Sequence, residues 1–100
     1  MDERVWFVYL LRCRTGLIYT GVTPDLDRRM ATHKAGRGAR FTRMNPPEKL
    51  LAVKPFDGKI PAMQMEAQVK KLSKAFKLAL ADSWLKEYPL HHFAQELSAL

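Results

Sequence analysis

The chain has 100 residues, of which 47% are hydrophobic and one is cysteine, and its formal net charge is +7. This length suits one domain with a modest core, and the hydrophobic share argues against a chain that is disordered throughout. The single cysteine, Cys13, excludes an internal disulfide and a zinc site built from several thiolates.

The amino terminus and the hydropathy give expectations about location. No apolar run is long enough to cross a bilayer, and residues 1–4 lack the basic-then-apolar order of a secretion signal. We expect a soluble, cytoplasmic protein with no membrane partner, made of one domain over residues 1–100. Its core would cover about residues 5–80, followed by a C-terminal helical extension over about residues 81–100.

Three segments have the composition of strands. "VWFVYLL", Val5 to Leu11, is a continuous run of apolar, β-branched and aromatic residues, which is typical of a strand buried on both faces. "LIYTGV", Leu17 to Val22, predicts a second strand, and the turn residues between the two predict an antiparallel hairpin. "KLLAVKPF", Lys49 to Phe56, predicts a third strand that ends at Pro55.

Two segments predict helices that pack on these strands. Residues 23–25, Thr-Pro-Asp, mark a helix start, and Leu26, Met30 and His33 follow at helical spacing as its inward stripe, up to Gly36. The segment "GRGARFTRMNPP" then predicts a loop or a short irregular helix. A longer helix is predicted from Pro61, and the apolar residues that would pack on the sheet are Met65, Val69, Leu72, Phe76 and Leu80.

The remaining C-terminal segment predicts one more helical piece. It would run from Trp84 to Leu100 after Pro89, with Phe93 and Leu97 as anchors. Together these elements predict an α+β fold in which a small sheet is flanked by helices.

The positive charge is concentrated in two places. Residues 28–43 contain six basic residues and no acid, and a second cluster of lysines follows Glu66. Such clusters suit a polyanion, because phosphate contacts release condensed counterions. They also suit a solvated basic face and, less well, a membrane surface, since no long Trp/Phe-rich amphipathic helix accompanies them.

Several polar and aromatic side chains are predicted to lie close together. Tyr19 ends a strand, Arg29 lies one turn into the next helix, and His33 follows four residues later on the same helix face. A short connection keeps the helix start beside the strand end, and Tyr9 lies in the partner strand. We therefore expect Tyr19 and Arg29 to meet at one end of the sheet, with Tyr9 nearby.

Each of these residues also has a simpler explanation when it is taken alone. A tyrosine in a strand is often only a half-buried packing residue, and an arginine is often a surface cation. His33 fits a helix residue whose hydrogen bonds are already satisfied. Glu66 fits an ion pair with Lys70, worth about 0.3–0.5 kcal/mol if exposed. The joint pattern, and no single member of it, indicates function.

The segments "VYLL", "YTG", "TPDLDRRMATH", "GARFT" and "MEAQVKKL" resemble successive blocks of the GIY-YIG nuclease family. The likeness is greatest to its short single-domain, URI-type branch, the UPF0213 group, and it runs from about Val5 to Lys77. The resemblance implies a three-stranded antiparallel sheet flanked by helices and a metal-dependent endonuclease that hydrolyses DNA phosphodiester bonds.

The resemblance also implies catalytic roles by position. Tyr9 matches the tyrosine of the first family motif, Tyr19 that of the second, Arg29 the family arginine and His33 the frequent histidine. Glu66 matches the metal-binding glutamate. The sequence departs from the family pattern where Phe7-Val8-Tyr9 lacks a glycine, where Thr20 replaces isoleucine, and where no asparagine follows Asn45.

These roles are chemically consistent with phosphodiester hydrolysis. Tyr19 would take a proton from water as a phenolate or through a relay, because a free phenol has a pKa of about 10. Arg29 can donate a forked pair of hydrogen bonds to phosphate. Glu66, the only acid between Asp57 and Asp82, would hold one Mg²⁺ or Mn²⁺ ion.

The expected partner is DNA, bound mainly through its backbone phosphates and without sharp sequence specificity. The cations expected to hold it are Arg28, Lys34, Arg37, Arg40, Arg43, Lys70, Lys71 and Lys74. Two alternatives remain open: a nucleic-acid-binding module of the same fold that does not cleave, and a protein-interaction domain in which the segment from Trp84 to Leu100 packs on a partner. The oligomeric state is not predicted.

Overall fold

The computed structural model describes residues 4–93. Over these residues the chain forms three strands and four helices, and the predicted α+β class is confirmed. In chain order they are β1 (Val5–Cys13), β2 (Ile18–Thr23), α1 (Leu26–Lys34), α2 (Arg40–Met44), β3 (Pro47–Asp57), α3 (Lys59–Lys70) and α4 (Lys74–Glu87). A single 3-10 turn, Leu90–His92, follows α4.

The three strands form one antiparallel sheet in the order β2-β1-β3. The central strand, β1, has a buried cluster on each of its faces, Val8 and Leu10 on one and Tyr9 and Leu11 on the other, which explains its continuous apolar run. Tyr9 lies opposite Gly21, and Leu11 lies opposite Tyr19. Because directly opposed residues of an antiparallel pair point to the same side, both tyrosines lie on one face of the sheet.

The predicted end of the third strand at Pro55 is wrong, because β3 continues to Asp57. Pro55 lies opposite Phe7 of β1, and β3 has no other neighbour in the sheet. A proline is tolerated in an edge strand, where its missing N–H need not donate to a second partner.

Helices cover both faces of the sheet. On the face that carries the two tyrosines, hereafter the tyrosine face, Tyr9 and Leu11 pack against Leu26 and Met30 of α1. The opposite face, hereafter the α3 face, places apolar side chains of all three strands against α3 and α4. Its buried core consists of Val8, Leu10, Ile18, Ala52, Ala62, Val69, Ala81 and Trp84.

The first helix begins at Leu26, directly after the predicted start segment of residues 23–25, and Asp25 caps it. The Asp25 side chain accepts a hydrogen bond from the Arg28 N–H at 3.1 Å, while the Thr23 hydroxyl oxygen accepts one from the Asp25 N–H. The predicted inward stripe of Leu26, Met30 and His33 is confirmed, since all three are buried.

The single long helix predicted from Pro61 is wrong. The chain breaks between α3 and α4, and the Ser73 side chain caps the second helix by accepting a hydrogen bond from the Phe76 N–H. The apolar spacing continues across this break, but the change of direction leaves Leu72 37% exposed and Phe76 68% exposed. Val69 packs in the core and Met65 and Leu80 lie against it, as predicted.

The C-terminal helical piece predicted from Trp84 is also placed differently. Trp84 lies inside α4 and is buried in this chain's own core, so it is not free to pack on a partner. Phe93 anchors the end of the described chain by an edge-on contact with Phe7, with ring centroids 5.9 Å apart. Leu97 lies outside the described residues. Over residues 4–93, no helix has the length and apolar character that spanning a membrane requires.

Candidate active site

A buried hydrogen bond joins the sheet to the first helix. The Tyr9 hydroxyl lies 2.8 Å from Nε2 of His33, and both side chains are buried. Tyr9 points from the central strand onto the tyrosine face, and His33 points inward from the last turn of α1. The inward position of His33 follows from its helical spacing after Leu26 and Met30.

A third residue determines the direction of this hydrogen bond. The Thr42 hydroxyl donates to the Ala39 carbonyl at 2.9 Å, so its single proton is already used. Nδ1 of His33, 3.0 Å from the same oxygen, must therefore be the donor. A neutral imidazole with its proton on Nδ1 has an acceptor at Nε2, so the Tyr9 hydroxyl donates to His33.

The electrostatics of the pair favour the neutral form of both groups. Burial, together with the positive charge of Arg29, lowers the pKa of His33 to about 4. Burial also raises the pKa of Tyr9 well above its ordinary value, with a contribution from Tyr19, while Arg29 opposes this rise. At neutral pH the pair is therefore an uncharged phenol bonded to an uncharged imidazole.

Two glycines make room for these rings. A Cβ atom at Gly21 would lie 2.3 Å from the Tyr9 hydroxyl oxygen, so the ring occupies the space that a side chain would need. At Gly38 a Cβ atom would lie 2.2 Å from Nδ1 of His33. A glycine inside a strand often marks the close approach of another group, and at Gly21 that group is the Tyr9 ring across the hairpin.

Tyr19 lies between this buried pair and solvent. Its ring centroid is 6.1 Å from that of Tyr9 and 5.6 Å from that of His33. On its other side it stacks on Phe41 at 5.8 Å, with the planes inclined by 26°. Tyr9 is fully buried and Tyr19 is only partly buried, so Tyr19 is the tyrosine with access to a substrate.

Arg29 is the second partly buried group beside the tyrosines. Its positive charge lowers the pKa of His33 and opposes the rise in the pKa of Tyr9, so it acts on both groups of the buried pair. Among the residues that the structure describes, its Nε is one of two buried side-chain polar atoms without a hydrogen-bond partner; Oγ1 of Thr20 is the other. Such an atom is costly unless a ligand satisfies it.

A pocket lies beside the arginine, and it provides space for a ligand next to this unsatisfied group. Its volume is about 270 Å³, and its lining residues are Arg4, Thr23, Pro24, Asp25, Arg28, Arg29 and Thr32. Tyr19 and Arg29 each interact with Tyr9, while a direct contact between the two stays a prediction.

Glu66 lies apart from these four residues. It belongs to α3, whose residues Ala62 and Val69 pack on the α3 face. Its side chain is 17% exposed, and its carboxylate lies 3.6 Å from Nζ of Lys70, which is the helical ion pair that the spacing predicts. The structure therefore brings four of the five predicted catalytic residues together on the tyrosine face, whereas Glu66 belongs to the helix that covers the opposite face.

The described residues offer few side chains that could bind a metal ion together. Within residues 4–93, no group of three or more histidine, cysteine, aspartate or glutamate side chains converges on one point. This excludes a protein-only cage in the described part of the chain. A single carboxylate such as Glu66 still fits Mg²⁺, which keeps several waters and is commonly bound by one or two carboxylates together with substrate phosphate.

All eight cations predicted to hold DNA are exposed. Five of them lie on α1, on α2 and in the loop between these helices, and three lie where α3 meets α4. They are Arg28, Lys34, Arg37, Arg40 and Arg43 in the first group and Lys70, Lys71 and Lys74 in the second.

The structure explains the segment "GARFT", residues 38–42, whose individual roles sequence analysis does not predict. Gly38 allows close approach to His33, the Ala39 carbonyl accepts a hydrogen bond from the Thr42 hydroxyl, and Phe41 stacks on Tyr19. Thr42 itself sets the tautomer of His33. The signal in the sequence was the resemblance of this short block to the family; the contacts depend on how α2 folds back on α1.

Comparison with known proteins shows the family to which the chain belongs. A profile of the GIY-YIG catalytic domain matches residues 5–79. The chain is 45% identical over 84 residues to a UPF0213 protein of Xanthomonas axonopodis pv. citri, covering 84% of this chain and 78% of that protein. It is 46% identical over 77 residues to a UPF0213 protein of Cupriavidus pinatubonensis, covering 77% and 86% respectively.

Solved structures show the same fold. The solution NMR structure of a UPF0213 protein from Bacillus halodurans superimposes with a TM-score of 0.52 at 40% identity, covering 94% of this chain and 97% of that one. A protein from E. faecalis superimposes with a TM-score of 0.59 at 29% identity, covering 91% and 97%. The chain therefore belongs to the GIY-YIG nuclease family, within its UPF0213 group, as its motifs predict.

Proposed function

We propose that the protein is a divalent-metal-dependent endonuclease that hydrolyses DNA phosphodiester bonds on the tyrosine face. The observation that carries this proposal is the half-buried pair of Tyr19 and Arg29 beside the buried Tyr9–His33 hydrogen bond. Hydrolysis of a phosphodiester requires a group that takes a proton from water and a cation that binds the phosphoryl oxygens.

Arg29 would bind the phosphate. Its unsatisfied Nε and the adjacent pocket support this role, because a guanidinium presents paired donors that match phosphate oxygens. Its charge also stabilises the negative charge that develops on those oxygens in the transition state.

Tyr19 would take the proton of the attacking water as its phenolate, or as a relay that passes its own hydroxyl proton on. Tyr9 and His33 are buried and do not reach a substrate in this conformation, so we assign them a positioning role. The donated hydrogen bond from Tyr9 to His33 fixes the ring against which Tyr19 packs, and Phe41 holds the other face of Tyr19.

Glu66 would hold one divalent cation. When bound, that ion supplies Lewis-acid stabilisation of the phosphoryl oxygens. The helices α1 and α3 lie on opposite faces of the sheet but both flank β2, which is an edge strand. A phosphate at this open edge would meet Arg29 from one side and the Glu66 site from the other.

A cleavage assay tests the proposal. The protein is incubated with supercoiled, linear duplex, single-stranded and branched DNA in Mg²⁺, in Mn²⁺ and in EDTA. We expect nicking of at least one substrate with a divalent ion, none in EDTA, and a loss of about 100-fold or more in Tyr19→Phe and Arg29→Ala. Salt-sensitive binding without cleavage of any substrate would instead support a non-catalytic nucleic-acid-binding module.

A further inference from the structure

A second pocket lies on the other side of His33 from Tyr9. Its volume is about 280 Å³, and its lining residues are Arg14, His33, Lys34, Gly36, Thr42, Arg43, Pro46 and Pro47. Three of these residues are cations and none is an acid. They come from the β1–β2 turn, from α1 and from α2, so the pocket exists only in the folded chain.

Within residues 4–93, the cations of this pocket have no acidic partner. Arg14, Lys34 and Arg43 are exposed, and no salt bridge within the described residues involves them. Three like charges around one cavity repel one another, and a bound anion relieves that repulsion. Arg12 differs, because it lies two residues away and pairs with Glu48 at 2.8 Å.

The walls of the pocket are held in place before any ligand binds. The Arg14 N–H donates a hydrogen bond to the Pro46 carbonyl at 2.9 Å, which ties the β1–β2 turn to the start of β3. On another side, His33 donates to Thr42. A preformed cationic cavity loses less entropy when it binds than three free side chains would.

The same turn also approaches the second group of cations. A Cβ atom built on Gly16 would lie 3.3 Å from Nζ of Lys74, so Lys74 lies beside the turn that carries Arg14. The β1–β2 turn therefore lies between the α1–α2 cations and the lysines at the α3–α4 junction. In the sequence these cations form two separate clusters.

From this arrangement we propose that the Arg14–Lys34–Arg43 pocket binds one phosphate group of the nucleic acid. The proposal rests on the proposed function for its ligand, but it concerns binding and not cleavage. It adds Arg14 to the predicted DNA contacts and makes the β1–β2 turn the centre of the bound backbone. The ligand is either an internal phosphodiester or a terminal phosphate.

The test measures DNA binding in EDTA, where cleavage cannot contribute. Fluorescein-labelled oligonucleotides with a 5′-phosphate or a 5′-hydroxyl are titrated with wild-type protein, Arg14→Ala, Arg43→Ala and the matched control Arg12→Ala. We expect Arg14→Ala and Arg43→Ala each to weaken binding about fivefold and to lower the salt slope by about one, and Arg12→Ala to change affinity less than about twofold. Equal affinities for the two oligonucleotides indicate that the pocket binds an internal phosphodiester. Tighter binding of the 5′-phosphate oligonucleotide indicates that it binds a terminal phosphate.

The outcome separates this inference from the nuclease proposal. If Arg14→Ala and Arg12→Ala weaken binding equally, only the overall charge matters and the inference is overturned, whether or not the wild type cleaves DNA. If only the pocket variants lose affinity, the inference stands even when the wild type cleaves nothing. Thermal melting of each variant confirms that the exposed substitutions leave the fold intact.

Discussion

The Tyr9 hydroxyl donates a hydrogen bond to Nε2 of His33 across 2.8 Å of buried space, and Thr42 on the far side of the imidazole determines that direction. The bond ties the central strand to the last turn of α1. It therefore fixes the position of the helix that carries Arg29 relative to the strand that carries Tyr19.

Removing the donor should destabilise the protein measurably. Tyr9→Phe leaves Nε2 of His33 buried without a partner, which costs about 1–3 kcal/mol. Tyr19→Phe removes a hydroxyl from a partly exposed ring and should cost less than about 1 kcal/mol. Urea unfolding of the two variants checks this, and equal losses of unfolding free energy would contradict the assigned hydrogen bond.

The protonation of His33 should make stability depend on pH. Because folding lowers its pKa from 6.5 to about 4, the unfolded chain binds more protons between these values. The stabilisation is complete above about pH 6.5 and is lost as the pH falls toward 4, by roughly 3 kcal/mol in total. His33→Gln should lack this component, and parallel stability curves for the two proteins would show that His33 titrates normally.

The charge of Arg29 should be visible in the titration of His33. Removing it in Arg29→Ala deletes the second cause of the lowered pKa and leaves burial, the larger cause. The pKa of His33 should rise above about 4 yet remain below 6.5. NMR shifts of the imidazole protons measure this pKa, with Arg28→Ala as the matched control. An unchanged pKa of His33 in Arg29→Ala would show that the charge of Arg29 does not act on His33.

Gly21 should be intolerant of a side chain because of Tyr9. The added methyl would lie 2.4 Å from Cζ of a ring that is fully buried, so Gly21→Ala should cost about 2 kcal/mol or more. The cost should largely disappear in a Tyr9→Leu background, where the ring is absent. A double-mutant cycle by urea unfolding tests this, and additive losses would point to another cause.

Much of the tyrosine face could be predicted from the sequence because the signals are local. The hairpin places Tyr9 and Tyr19 on neighbouring strands, and the helical spacing after Leu26 turns His33 inward. The network beyond His33 could not be predicted in the same way. Thr42 and Phe41 reach the site only because α2 folds back on α1, which no periodicity encodes.

On the α3 face, the sequence pattern predicts too simple a structure. Apolar spacing continues from Val69 to Phe76, so the pattern predicts one helix, but the Ser73 cap ends that continuity. The face on which Glu66 lies depends on how α3 packs. Its position four residues before Lys70 predicts only the ion pair, which forms.

The most direct test of the nuclease proposal compares nicking and binding in Glu66→Gln. The matched control is Glu48→Gln, which removes an exposed carboxylate paired with Arg12. With Mg²⁺ or Mn²⁺, we expect the wild type and Glu48→Gln to nick DNA at similar rates. Glu66→Gln should lose about 100-fold or more in rate while its affinity for DNA changes less than about twofold. Nicking by Glu66→Gln at the wild-type rate would contradict the proposal.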